Sequence, residues 1–66
     1  MEQEVLIQLR TDVYGVDGIL YEAAAAPMWC WPCRDIVSQA AWYLPLGTRD
    51  LIPADVAEVV GTRRPS

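Results

Sequence analysis

Between Glu4 and Arg10 the chain alternates, with Val5, Ile7 and Leu9 set against Glu4, Leu6, Gln8 and Arg10. A period of two belongs to a strand, so the segment reads as a strand with one strongly apolar face. Thr11 to Gly18 then carries Gly15 and the pair Asp17-Gly18, which suits a type I′ turn, and Ile19-Leu20-Tyr21 reads as a second strand antiparallel to the first. Ala23 to Ala26 favours helix by propensity, yet four residues do not nucleate one and Pro27 opposes helix at the residue before it. Residues 22–28 are left open between a strand end and a single helical turn.

From Pro32 the period changes. Cys33, Ile36, Val37, Ala40, Tyr43 and Leu44 fall at helical spacing on one face, with Arg34, Asp35, Ser38 and Gln39 on the other. Pro32 suits the first helical position and Pro45 ends the run, which predicts a helix over 32–44. A shorter helix is predicted over 53–60, with Asp55 in its first turn, Val56, Val59 and Val60 on one side, and Gly61 as the stop. The expected architecture is α+β: one small domain over 1–61, an N-terminal β-hairpin followed by two helices, and a flexible tail over 62–66.

Size and charge narrow the function classes. A chain of 66 residues, 53% hydrophobic, folds, but it buries only about 60% of the surface its unfolded form exposes, so support from a partner or a second copy is useful to it. The net charge is −4, and Arg63 and Arg64 sit near the end, which leaves nine acids against Arg10, Arg34 and Arg49 in the body. Such a body repels phosphate backbones and disfavours ordinary nucleic-acid binding, while its charge suits steering towards a basic protein surface. Histidine is absent, which removes Ser-His and Cys-His catalysis from a single chain. The start Met1-Glu2-Gln3-Glu4 is acidic where a secretory signal is basic, and no long apolar run reads as a membrane span. A cytoplasmic protein is the expectation, and there two cysteines stay reduced.

One segment is chemically pointed. In Trp29-Cys30-Trp31-Pro32-Cys33 the first cysteine precedes the predicted helix and the second lies in its first turn. A helix start stabilises a thiolate, which would make Cys30 the attacking thiol and Cys33 the resolving one. Here the sequence resembles the thioredoxin family, whose motif is Trp-Cys-Gly-Pro-Cys followed by a basic residue; Trp29, Cys30, Pro32, Cys33 and Arg34 match, and Trp31 replaces the glycine. The resemblance covers residues 29–36 and implies dithiol-disulfide exchange without a cofactor. A whole thioredoxin fold needs more chain after Leu44 than is present. Other readings of the pair are packing as small apolar side chains, and half of a zinc site completed by a second chain, a zinc-bridged dimer.

Trp29, Trp31, Trp42 and Tyr43 are dense for so short a chain. Trp42, beside the apolar stripe, reads as core. Met28, Trp29 and Trp31 lie on a proline-bounded loop and read as a docking surface, because tryptophan presents a large area at low entropy cost. The function expected from these features is a small acidic protein-binding module, a regulator or inhibitor of a larger protein with a phage-like or accessory origin. Thiol-disulfide exchange through Cys30 and Cys33 is the alternative, and the zinc-bridged dimer a second.

Overall fold

A computed structural model describes residues 3–65 of the chain; Met1, Glu2 and Ser66 lie outside it, and with them part of the acidic start and of the expected tail. The alternation of the first segment is realised as β1 (Glu4–Leu9), with Val5, Ile7 and Leu9 buried. The chain then makes a separate hairpin of β2 (Val13–Tyr14) and β3 (Leu20–Tyr21), which pair with each other and not with β1. The expected type I′ turn is not formed, because it needs positive φ at both central residues and Asp17 has none. Gly18 alone takes the left-handed conformation, at φ 86°, closing a wider loop in which its N–H donates to the Gly15 carbonyl.

Residues 22–27 form a turn with no helical turn in it, and Met28 already opens the next strand. Asp12 Oδ1 accepts the Ala23 N–H at 2.8 Å, and the Gln8 side-chain amide donates to the Ala23 carbonyl at 2.9 Å, so the chain is led across β1.

No α-helix forms among the described residues, which corrects the α+β reading. Residues 28–34 are a strand, β4 (Met28–Arg34), a turn follows, and β5 (Ala41–Pro45) returns antiparallel to it. The apolar spacing in so short a run fits two periods. Trp31, Trp42 and Tyr43 favour an extended backbone, and tertiary pairing decided for strand. The second predicted helix shrinks to a 3-10 turn of three residues, Ala54–Val56, between β6 (Ile52–Pro53) and β7 (Ala57–Arg63). Val59, Val60 and Thr62 are β-branched and belong to β7, as does Arg63, so the strand extends into the expected tail.

The five longer-range strands form one antiparallel sheet in the order β6-β5-β4-β1-β7. Its two edges, β6 and β7, are consecutive in the chain and joined only by the 3-10 turn. From Pro53 to Ala57 the backbone reaches at most about 14 Å, whereas four strand spacings in a flat sheet need about 19 Å. The sheet therefore curls into a partly open barrel.

β4 carries the bend. Its first half pairs with β1 (Ile7 with Met28, Val5 with Cys30), and its second half pairs with β5 (Cys30 with Pro45 through Arg34 with Ala41). Within β4, Cys30 alone is paired on both sides, and its small side chain is fully buried where the half-sheets fold over each other. Pro32 is tolerated within the strand because β1 no longer flanks it there, so no ladder bond misses its N–H. Val5, Ile7, Leu9, Cys30, Ile52 and Ala57 form the core, with Met28, Tyr21 and Tyr43 packed against it. No helix among the described residues is long and apolar enough to cross a membrane.

Candidate functional site

Because side chains alternate along a strand, the register decides which residues share the outer face. Trp29 lies opposite Leu6, Trp31 opposite Leu44, Cys33 opposite Trp42, and Trp42 opposite Pro53. These positions alternate with the buried ones (Val5, Ile7, Cys30, Pro45, Ile52), so all three tryptophans project from the outside of the barrel. Each is half-buried by its neighbours. Trp42, expected in the core, stands on this face.

Trp29 is held most firmly. The Arg63 guanidinium lies 4.0 Å from the centre of its ring, and Arg63 Nε donates to Glu4 Oε1 at 2.7 Å. A cation over an indole face is attractive, and the carboxylate fixes the cation there. Trp31 and Trp42 carry no such cap among the described residues. Met28, grouped with Trp29 and Trp31 by the sequence, alternates to the other face and packs against the core opposite Ile7.

Beside Trp42, the loop from Asp35 to Ala40 presents Ile36 and Val37, 89% and 93% exposed. The helix reading placed both on a buried face. The loop is fixed by its own hydrogen bonds. Asp35 Oδ1 accepts the N–H of Val37 at 2.8 Å and of Ser38 at 3.3 Å, the Asp35 N–H donates to the Ala40 carbonyl, and Arg34 Nη1 donates to the Gln39 carbonyl. The Val37 N–H, more than any other group, holds the Asp35 carboxyl below its ordinary range. Gln39 takes the left-handed conformation, φ 64°, that turns the chain back into β5.

The cysteines lie in β4, with no helix start beside them. Three residues of strand separate their Cα atoms by about 10 Å, beyond the reach of a disulfide, and their side chains leave opposite faces. One chain cannot close a dithiol on itself here, nor offer both thiols to one zinc ion, without rebuilding β4. Burial pushes the Cys30 thiol up to about 11, the reverse of the shift a helix start would give. Compared with an ordinary thiol, that leaves far less thiolate at neutral pH. In the native protein iodoacetamide is therefore expected to label Cys33, which is partly exposed, and to leave Cys30 unmodified until denaturant is added. Peptide mapping of the alkylated chain checks this, and equal labelling of the two would contradict the burial of Cys30.

A second site escaped the sequence reading altogether. Asp50, between β5 and β6, is fully buried, and its Oδ1 accepts the Asp17 and Leu51 N–H groups, each at 2.9 Å. Those bonds, Asp17's first, hold its carboxyl below the ordinary range despite burial. A Cβ on Gly15 would stand 2.1 Å from Asp50 Oδ2, so glycine is required for the β2–β3 hairpin to lie on the carboxylate. Tyr21 Oη and Asp50 Oδ2 are buried nearby without hydrogen-bond partners. Burial first, and the Asp50 carboxylate next, push the Tyr21 phenol to about 12. The cluster is a fastening for the hairpin; the only sequence signal for it was an acid next to Leu51-Ile52.

No protein-family model, curated protein or solved structure matches the chain. Fold and face define the class by themselves: a small, curled, five-stranded antiparallel barrel with an aromatic outer face.

Proposed function

We propose that this protein is a small binding module that docks on another, larger protein through the outer aromatic face of its barrel. The observation that supports the reading is the shared outward placement of Trp29, Trp31 and Trp42, flanked by Leu6, Leu44 and Pro53. The solvent face of an antiparallel sheet ordinarily carries polar residues, and a contiguous apolar patch there marks an interaction surface. Arg63 over Trp29 makes that ring a rigid part of the platform, and Trp31 and Trp42 are the anchors that a partner would cover. The acidic balance, −4 overall, favours a partner whose rim is basic. Small barrels, SH3-like ones among them, host many unrelated functions, so the architecture itself assigns none. Docked there, the module would act as a regulator or inhibitor of that larger protein.

The test is affinity capture from native lysate with the full chain as bait, followed by mass spectrometry and by titration of the dominant captured protein. Trp31→Ala and Trp42→Ala, each checked for native circular dichroism, are expected to weaken binding by about 2 kcal/mol or more, some thirtyfold. Folded variants that bind the same protein undiminished would overturn the proposal.

A further inference from the structure

The two edges of the sheet are unlike. β6 is two residues long and includes Pro53, which has no N–H to offer a neighbour. β7 runs for seven residues with no proline. Its backbone bonds go to β1, and none from Glu58 to Arg63 goes elsewhere among the described residues. Val59 lies opposite the fully buried Ile7 and so faces inward, yet it is 46% exposed, because nothing flanks it on the open side; Val60 is 51% exposed.

A bulge selects a partner for this edge. The register steps from Leu6 with Gly61 to Ile7 with Val59, which leaves Val60 as an extra residue. On the outer face stand Glu58 and Arg63, opposite Gln8 and Glu4; on the inner face stand Val59 and Thr62, opposite Ile7 and Val5. An added strand must meet outer positions with outer and inner with inner. If the added strand is a second β7, antiparallel about a two-fold between Val60 and Gly61, the condition is met. Val59 then faces Thr62 of the second copy, and Glu58 faces its Arg63. Centring the two-fold on Val60 instead would set Glu58 against Thr62, an outer position against an inner one. In the matched register opposite charges meet at both ends of the pairing, and each arginine is already held in place by Glu4 and Trp29.

We propose that β7 is a dimerisation edge, at which a second copy of this chain adds its own β7 antiparallel about the Val60 bulge. A symmetric contact of this kind closes on itself and does not propagate into fibres. Strand pairing alone buries little surface, so the dimer is a weak one.

Sedimentation of the full chain over a wide concentration series tests the proposal. A reversible monomer–dimer equilibrium is expected, in which Glu58→Arg, at an exposed position, weakens association about tenfold and Glu58→Gln does so less. Amide exchange of the wild-type chain supplies the second measurement, with the amides of residues 59–63 gaining protection as concentration rises. A monomer at every concentration would overturn the proposal. So would a dimer that ignores Glu58→Arg and gives those amides no protection, or one broken instead by Trp42→Ala, which would seat the second copy on the aromatic face. The edge and the aromatic face meet at the Arg63–Trp29 contact but are tested by different residues, Glu58 and Trp42, so failure of either proposal leaves the other standing.

Discussion

Replacement of Gly15 by alanine is expected to cost about 1–3 kcal/mol of unfolding free energy, the usual range for atoms forced into filled space. The new methyl would stand 2.1 Å from a carboxylate oxygen, and that carboxylate cannot swing away without giving up the Asp17 and Leu51 N–H groups. For a chain of this size the loss is a large share of the whole, since a core below about 70 residues rarely supplies more than 3–5 kcal/mol. Asp50→Ala is destabilising too, because it leaves those two N–H groups without their acceptor. The double variant separates the two effects. Without the carboxylate the methyl at position 15 has room, so the combined loss, read from urea midpoints, is expected to fall clearly short of the sum of the single losses. Strict additivity would mean that the contact is not there.

The same carboxylate sets an acid limit. Its folded pKa lies below the ordinary value of about 3.9, so its contribution is complete above that pH and is lost as the pH falls towards the depressed value. Below about pH 4 the wild-type urea midpoint is therefore expected to drop more steeply than that of Asp50→Ala. Asp35, shifted in the same direction, keeps some slope in the variant. Tyr21 and Cys30 act at the other end. Both are raised, so the fold favours their neutral forms, and the stability they lend below their ordinary values is lost as the pH climbs through about 11 for Cys30 and about 12 for Tyr21.

The second large effect is a contrast between isoleucines. Ile7→Ala removes a side chain with no exposed surface at the centre of the core, and a loss of about 2–5 kcal/mol is expected, enough to unfold much of the population. Ile36→Ala and Val37→Ala, at the tip of the Asp35–Ala40 loop, are expected to stay within about 0.5 kcal/mol of the wild type. Chemical denaturation of the three variants checks this. In a fold with a helix over 32–44 the order would be the opposite for Ile36 and Val37, so the comparison distinguishes the two architectures directly.

Where the reading from sequence and the structure part company, the cause is the length of the signal. β1 was legible because six residues alternate cleanly and their partners lie on both sides, so one face is buried along its whole length. In the stretch from Cys33 to Leu44, by contrast, a helix and two short strands around a turn explain the same apolar positions. Asp35, which looked like a residue of an outward helical face, is the acceptor that organises the turn, and Pro32, which looked like a helix start, occupies the half of β4 that β1 does not flank. The density of tryptophans was visible from the outset, but their common outward face follows from the registers of β1, β4, β5 and β6, which no residue announces by itself.

What the sequence determined alone is local: the alternation of β1, a chain reversal near Gly18 though not its turn type, an acidic and histidine-free composition, and a cluster of aromatic residues near two cysteines. Tertiary structure decided the rest. Closure of the sheet through the 3-10 turn fixed which strands meet, and strand pairing sent Cys30 inward and Cys33 outward, removing the helix start on which a reactive thiol depends. Asp50 and Gly15, 35 residues apart in the chain, became one fastening only when the hairpin folded onto the barrel. The physical reason is common to all three: a short segment carries enough information for its own dihedral angles, whereas burial, register and the pKa of a side chain are properties of neighbours that folding alone brings near.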